Sequence, residues 1–448
     1  MAQDDQTLAQ SLLHAAKKAG ADAADAVVMT DDSLSIEVRS GALEHATRSE
    51  AVEAGLRVFV GQKQAVVSTS DLRPEMISEL ATRAVAMAGV APDDPYCGLA
   101  DPDQLSRNWQ ELALDLADPA DPPSPDTLKS IALQAEAAAL TVTGVSQVSD
   151  CAAGWSENRV HLAATNGFDG GYVRTNSGFH AVAIAGEGLE MERDYASESR
   201  CYFADLPDID TVGRRAGERA VARQGAIKPP TGSYPILYDE RVSTSLIGHL
   251  TGAANGSAVA RGASWLKDRL GEAILPAGMT LTENPHRVRI SNSRYFDGEG
   301  IPTAPRDIIA DGVLTGWTLD LANGRKLGQP STGSAQRGAS SMPSPGVSNL
   351  ELSQGDRTRD DLIRDMGTGL LVTSMIGSTI SPTTGDYSRG ASGFWVENGE
   401  IAYPVNECTI AGNLLQMLPR MIAANDARTH LSHVVPSLLV EGMTIAGA

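Results

Sequence analysis

The stretch that decides the fold runs Gly385-Asp-Tyr-Ser-Arg-Gly-Ala-Ser-Gly-Phe-Trp-Val-Glu-Asn-Gly-Glu-Ile-Ala-Tyr-Pro-Val-Asn-Glu-Cys-Thr-Ile-Ala-Gly-Asn413. Its centre joins the β-prone residues Phe394 to Val396 to a returning strand from Ile401 to Val405. Asn398-Gly399 lies between them and supplies the two residues with positive φ that a type I′ turn requires. The stretch therefore predicts a β-hairpin. Pro404 is expected at an edge or a strand end, because proline donates no ladder hydrogen bond.

The rest of the second half also favours strands. Predicted strands are Tyr234 to Tyr238, Thr280 to Thr282, Arg287 to Ser291, Asp311 to Thr315, 348–353 and Gly369 to Met375. Predicted helices are Asp239 to Leu250, 358–367, and an apolar tail at 412–424 that Pro419 should kink or restart. We expect a mostly antiparallel β domain, sandwich or half-barrel like, with a few helices.

The first half predicts an α+β domain in which helices accompany an antiparallel sheet. Helices are predicted at 6–19, 71–89, 127–140 and 209–223. Strands are predicted at Ala26 to Met29, Leu34 to Val38, Gly55 to Val60, Gln64 to Thr69, 144–151, 158–165, 170–175, 178–186 and 188–201. Residues 90–126 are rich in Pro, Asp and Gly and predict a long loop.

The strongest linker signal is Gln224 to Ser233, which holds two prolines and two glycines. We place a domain boundary near 226–232. The chain then divides into an N-terminal α+β domain at 1–226 and a C-terminal β-rich domain at 233–448.

Composition limits the possible partners and location. The formal net charge is −20, which argues against nucleic acid or an anionic membrane as a partner. The acidic N-terminus is unlike a signal peptide, and no apolar run approaches the ~20 residues that span a bilayer. The four cysteines form no CxxC pair, so structural zinc on cysteine is unsupported and reduced thiols in the cytoplasm are expected.

Most catalytic motifs are missing. The sequence contains no P-loop, no complete dinucleotide fingerprint, no GxSxG elbow and no HExxH. His430 and His433 lie three residues apart, and we expect them at an exposed helix end without a nearby acidic ligand. Cys408 suggests a thiol nucleophile, but no partner can be placed beside it, and a small buried thiol is the alternative.

Several blocks along the chain carry a family resemblance. They are Gly41 to Glu44, Gly55 to Val58, Ser291 to Pro302, Asp311 to Leu314, Pro330 to Arg337 and the 385–413 stretch. Each block alone consists mostly of turn-forming residues and is a weak signal. Together, in this order along the chain, the blocks are specific for one family. The chain is identified as a member of the TldD/PmbA family and resembles its PmbA (TldE) branch, whose members are also called modulators of DNA gyrase.

The resemblance has implications for a metal site. In the TldD branch, the segment similar to Ser243 to Asn255 carries HExxxH, whose histidines bind a catalytic zinc together with a later cysteine. In this chain the corresponding positions are Gly248, His249 and Ala253. Glycine and alanine have no donor atoms, so we predict no catalytic residue and no metal ligand here. His249 is expected to be a helix-surface or interface histidine.

The resemblance also implies a cytoplasmic heterodimer. A TldD-type subunit would supply the zinc, and the complex would cleave extended or unfolded peptides in an enclosed cavity. A homodimer remains possible for the chain alone. Two alternatives stay open: a peptidase with an unrecognised nucleophile, and an acidic regulator of a DNA enzyme such as gyrase.

One stretch is a candidate for peptide or partner contact. We expect Arg389, Phe394, Trp395 and Glu397 to line the subunit interface or the peptide path, since a strand edge holds an extended peptide through main-chain hydrogen bonds. The alternative, strongest for Phe394 and Trp395, is that they pack the C-terminal sheet.

Overall fold

Long antiparallel strands organise the N-terminal half of the computed structural model, which describes residues 4–448. The strands are β1 Ala23–Arg39, β2 Ala42–Val60, β3 Lys63–Thr69, β4 Val145–Ala164, β5 Asp169–Ala185 and β6 Glu192–Arg200. They pair in the order β3-β2-β1-β4-β5-β6. The sheet includes the antiparallel meander predicted for the region after residue 140.

Four helices cover one face of this sheet. They are α1 Asp5–Lys18, α2 Pro74–Val90, α3 Pro125–Leu140 and α4 Ile209–Ala222. Even-numbered residues of β1 face them: Ala26 packs with α1 and α2, and Ile36 packs with α3 and α4. Because successive strand residues point to opposite sides, the odd-numbered residues of β1 face the other way, toward the C-terminal half.

The sequence pattern divides the long strands wrongly. Ala26 to Met29 and Leu34 to Val38 belong to the single strand β1, and the five segments predicted between 144 and 201 form three strands. Asp31, which lies between the two predicted strands, pairs with Ala51 on one side and Asn158 on the other. Ladder hydrogen bonds on both sides keep these polar residues extended.

A closed barrel forms the centre of the C-terminal half. The strands of this sheet are β7 Gly232–Tyr238, β14 Gly369–Ile380, β15 Asp386–Glu397, β16 Glu400–Asn413, β17 Ile422–Ala423 and β19 Leu438–Ala446. Smaller sheets are formed by β8 Leu281–Glu283, β9 Arg306–Ala310, β10 Val313–Leu314, β11 Ala335–Gln336, β12 Ser344–Pro345, β13 Leu350–Leu352 and β18 His433–Val434. The sheet order β16-β15-β14-β7-β19-β17 closes where β16 also pairs with β19. The α+β fold class is confirmed.

Five helices complete this half: α5 Glu240–Ala253, α6 Gly256–Ala260, α7 Leu321–Leu327, α8 Arg359–Met366 and α9 Leu414–Met417. The predicted 226–232 linker lies between α4 and β7, and Ile227 there donates a main-chain hydrogen bond to Pro404. Among residues 4–448, no helix is both long and apolar enough to cross a bilayer.

The hairpin prediction is confirmed. β15 and β16 pair antiparallel around Asn398 and Gly399, whose φ angles are 53° and 78°. Pro404 pairs with Phe394 on β15, while β19 reaches β16 only from Thr409 to Ala411. Pro404 therefore lies at an edge of the sheet, as expected, where a single bridge between Ile227 of the linker and Val405 reaches β16.

Two C-terminal predictions are wrong. Arg287 to Ser291 forms turns instead of a strand, and Arg289 has a φ of 55°. The helix predicted at 412–424 is limited to α9 and the 3-10 turn Leu418–Arg420. Pro419 explains the second difference, because proline cannot donate the hydrogen bond that would continue the helix.

Candidate functional site

Helix α5 has one face fixed by the barrel and one face that is open. Asp239 caps its N-terminus by accepting a hydrogen bond from the Arg241 amide. Leu246 and Leu250 are fully buried in the core that the barrel shares with this helix. On the exposed side, no atom lies within 4 Å of where a Cβ would stand at Gly248 or Gly252.

His249 lies at the border between these two faces. Its ring meets Tyr387 of β15 edge-on, with the ring centroids 5.8 Å apart. Its Nε2 is shielded from solvent and has no hydrogen-bond partner. Burial lowers the pKa of His249, and the nearby charge of Arg389 lowers it further. The imidazole is therefore neutral around pH 7, and it is a half-buried residue of the helix surface.

The residues of α5 do not fit a zinc ion. Of the three positions at which the family resemblance places the HExxxH residues, only His249 carries a donor atom; the other two are Gly248 and Ala253. A catalytic zinc site needs three protein ligands and an open position. Within residues 4–448, no group of three or more His, Cys, Asp or Glu side chains is arranged to hold a metal.

A free strand edge lies beside α5, which contacts β14. β14 pairs with β7 only from Leu370 to Val372 and continues to Ile380 with β15 alone. In the described chain the other edge from Thr373 to Ile380 has no strand neighbour, and Ile376 on it is 78% exposed. Such an edge offers unpaired main-chain groups to an added strand.

The four sequence candidates do not form one cluster. Arg389 of β15 is half-buried, and its Nε donates to the Gly377 carbonyl of β14 at 2.8 Å. Trp395 is 2% exposed in the barrel core, and its Nε1 donates to exposed Glu397 at 3.1 Å. Phe394 is half-buried and packs on the opposite side of β15.

Cys408 is a poor nucleophile in this setting. It lies on β16, is 4% exposed, and its thiol donates to the Ala391 carbonyl at 3.2 Å. Burial raises its pKa to about 11. The thiolate, which is the reactive form, is therefore scarce at neutral pH.

The prediction for His430 and His433 needs correction. Neither lies at a helix end: His430 is in a turn and His433 is in β18. An acidic neighbour also exists, because Nε2 of His430 is 3.2 Å from a carboxylate oxygen of Glu198 on β6. Burial nevertheless lowers the pKa of both histidines. The chain folds back here onto the N-terminal sheet, a contact that local sequence does not indicate.

A buried charge cluster joins the two halves, and it was not predicted from the sequence. Asp25 of β1 accepts hydrogen bonds from Arg57 Nε at 2.8 Å and Arg337 Nη1 at 2.5 Å. Burial opposes ionisation of Asp25, but the two guanidiniums outweigh it and lower its pKa. Burial raises the pKa of nearby Glu299 to about 8. The only sequence signal was that Arg57, Glu299 and Arg337 lie in or next to the family blocks.

The comparisons agree with this architecture. A crystal structure from Bacteroides thetaiotaomicron, described as a candidate modulator of DNA gyrase, matches with a TM-score of 0.91 and 30% identity, covering both chains completely. TldE from Thermococcus kodakarensis shares the fold, with a TM-score of 0.84 at 20% identity over 98% of this chain and 100% of that one. Fold and site thus define a two-part α+β protein of the architecture that these two structures share.

Sequence comparisons identify the family. Models of the PmbA/TldA metallopeptidase match residues 24–88 (domain 1), 118–224 (central domain) and 231–447 (C-terminal domain). Metalloprotease PmbA of Escherichia coli O157:H7 is 36% identical over 430 residues, covering 95% of this chain and 92% of that protein. A PmbA homolog of Haemophilus influenzae is 35% identical, covering 96% and 94%. The chain belongs to the PmbA/TldD metallopeptidase family.

Proposed function

We propose that this chain is a PmbA/TldE-like, non-catalytic subunit of a metallopeptidase complex that cleaves extended or unfolded peptides. A TldD-type subunit supplies the zinc. The observation that carries the proposal is the donor set of α5, where Gly248 and Ala253 cannot ligate a cation. His249 alone cannot replace them, and the general base that would activate water is missing.

The free edge of β14 supports a role in holding peptide. An extended peptide added there would form main-chain hydrogen bonds without its sequence being read. Arg389 of β15 contacts the same part of β14 through the Gly377 carbonyl and carries a charge for a peptide carboxylate or a partner. Phe394 and Glu397 offer further contact on β15, and Trp395 acts from the core by holding Glu397.

The charge of −20 supports a protein or peptide partner over nucleic acid or a membrane. The four free cysteines support a reducing, cytoplasmic location. In this proposal the chain pairs with the TldD-type subunit and forms a homodimer only when that subunit is absent.

Reconstitution tests the proposal. Hydrolysis of an unfolded peptide and bound zinc are measured for this chain, for a TldD-type subunit, and for their mixture. We expect zinc and activity only where the TldD-type subunit is present, with the mixture most active. Stoichiometric zinc and chelator-sensitive hydrolysis in the isolated chain would overturn the proposal.

Matched variants sharpen the experiment. Gly248→Ala adds a methyl group into open space and should leave the mixture fully active. Arg389→Ala should weaken peptide or partner binding severalfold. The control is Arg364→Ala, which removes an exposed arginine of α8 and should leave binding unchanged. Activity that survives excess chelator and disappears in Cys408→Ala would favour an independent peptidase. If this chain retains gyrase in a pull-down without the TldD-type subunit, the alternative of an acidic regulator of gyrase would be favoured.

A further inference from the structure

A cavity of about 620 Å³ lies between the N-terminal sheet and the C-terminal half. Its floor is the face of the sheet that carries no helices, including Val27 and Met29 of β1 and Leu162 of β4. The opposite wall comes from the segments 292–298 and 335–337, with Phe296 among the apolar side chains. This volume and mixed lining are typical of small-ligand pockets.

One wall of the cavity contains an arginine with unused donors. The side chain of Arg337 is 2% exposed, and its Nη1 is paired with Asp25. Its Nε and Nη2 are buried and have no hydrogen-bond partner. These two groups form the side of a guanidinium that binds both oxygens of one carboxylate. Leaving buried donors unpaired is costly, so an anion there would be favoured.

The opposite end of the cavity is acidic. Asp31 and Glu53 line it on neighbouring strands, at diagonal positions of the β1–β2 ladder. Neither carboxylate has a cation within ion-pair distance in the described chain. Glu53 is exposed, which places this end toward solvent. Two other charged residues of the lining are already bound: Arg174 donates to the Ser291 and Ser293 carbonyls, and Asp297 accepts hydrogen bonds from main-chain amides. The cavity therefore has a buried end with unused guanidinium donors, apolar walls, and a mouth with two carboxylates that have no ion-pair partner among the described residues.

The dimensions indicate the length of a matching ligand. The stretch of β1 from Val27 to Asp31 is about 13 Å long at a rise of about 3.3 Å per residue. An extended peptide of three or four residues has about the same length. Its terminal carboxylate would meet the Arg337 fork, and its ammonium group would meet Asp31 and Glu53.

We propose that this cavity binds a short apolar peptide of three or four residues through its free C-terminal carboxylate. Such peptides are what a peptidase releases, so a product-binding role rests on the proposed function. The binding itself does not, because it belongs to this chain alone and is measured without a partner or hydrolysis.

Titration calorimetry of the full chain tests the inference with three probes. They are alanyl-alanyl-phenylalanine, its C-terminal amide, and its N-acetyl form. We expect the free acid to bind at least tenfold more tightly than the amide and about two- to fivefold more tightly than the N-acetyl form, since the mouth is partly solvated. Equal affinity of acid and amide, or no binding of the acid at millimolar concentration, would overturn the proposal.

Variants test the orientation of the peptide. Arg337→Lys keeps the charge but loses the fork, and should weaken the free acid at least tenfold, while Arg48→Gln at an exposed position should change nothing. Because Arg337 is buried, its replacement could also impair folding, so a second variant tests the other end of the cavity. Asp31→Asn with Glu53→Gln should weaken the free acid but not the N-acetyl form. If the double variant binds the free acid as tightly as the unsubstituted protein does, the proposed orientation is excluded.

Discussion

Replacing Trp395 by phenylalanine separates a packing role from a partner-binding role. The side chain is 2% exposed and meets Tyr234 edge-on, with the ring centroids 4.9 Å apart. Phenylalanine removes about 50 Å² of buried apolar surface, which costs about 1.3 kcal/mol at 25 cal/mol per Å². The cavity left behind and the lost hydrogen bond to Glu397 add about 1 kcal/mol. We expect a total loss near 2 kcal/mol.

Thermal unfolding followed by circular dichroism measures this loss. A domain of this size shifts its Tm by about 2–4 °C per kcal/mol, so Trp395→Phe should melt about 4–8 °C lower. Glu397→Gln keeps an oxygen acceptor at an exposed site, and its Tm should change by less than about 2 °C. An unchanged Tm for Trp395→Phe, together with lost binding to a TldD-type subunit, would refute the packing argument.

Three further substitutions test the buried charges and the close backbone contacts. Burial disfavours the ionised form of Glu299, so the protein should lose stability as pH rises from 4.5 toward 8; Glu299→Gln should remove that loss, as urea midpoints at about pH 5.5 and pH 8.5 would show. Gly393→Ala would place a Cβ 1.9 Å from the Leu371 carbonyl oxygen and should cost about 1–3 kcal/mol, whereas Gly248→Ala should melt like the unsubstituted protein. Asp194→Asn weakens the ion pair with the mostly buried Arg241 of α5, whose Nη1 lies 2.9 Å from the Asp194 carboxylate. Denaturant unfolding should show a loss of about 2–4 kcal/mol in the free energy of unfolding.

Features set by neighbouring residues could be predicted from the sequence. Asn398-Gly399 specifies its turn through backbone conformation alone. Asp239 caps the helix that was predicted to begin there, and Asp208 caps the helix predicted at 209–223; each accepts a hydrogen bond from an amide within the first turn. These signals depend on a few adjacent residues, so the fold class and most helices followed from them.

Strand length and the interdomain site could not be predicted in the same way. The polar centre of β1 interrupts the strand pattern, and only the ladders on both sides show that the strand is continuous. Arg337 and Asp25 are 312 positions apart, and each alone reads as a solvated surface charge. The alternation of side chains along a strand shows which residues share a face of the sheet, but it does not show that this face meets another domain. The cavity and its arginine became visible only in three dimensions.

The separation of the two faces of α5 explains how a metallopeptidase fold can lack metal ligands. Leu246 and Leu250 hold the helix against the barrel, and this burial does not depend on what stands at Gly248. A side chain at 248 would project into open space, so its chemistry adds little to the stability of the fold. The scaffold and the chemistry are thus under independent physical constraints. Under the proposed function, this independence lets a subunit keep the barrel and its free β14 edge while another chain holds the zinc.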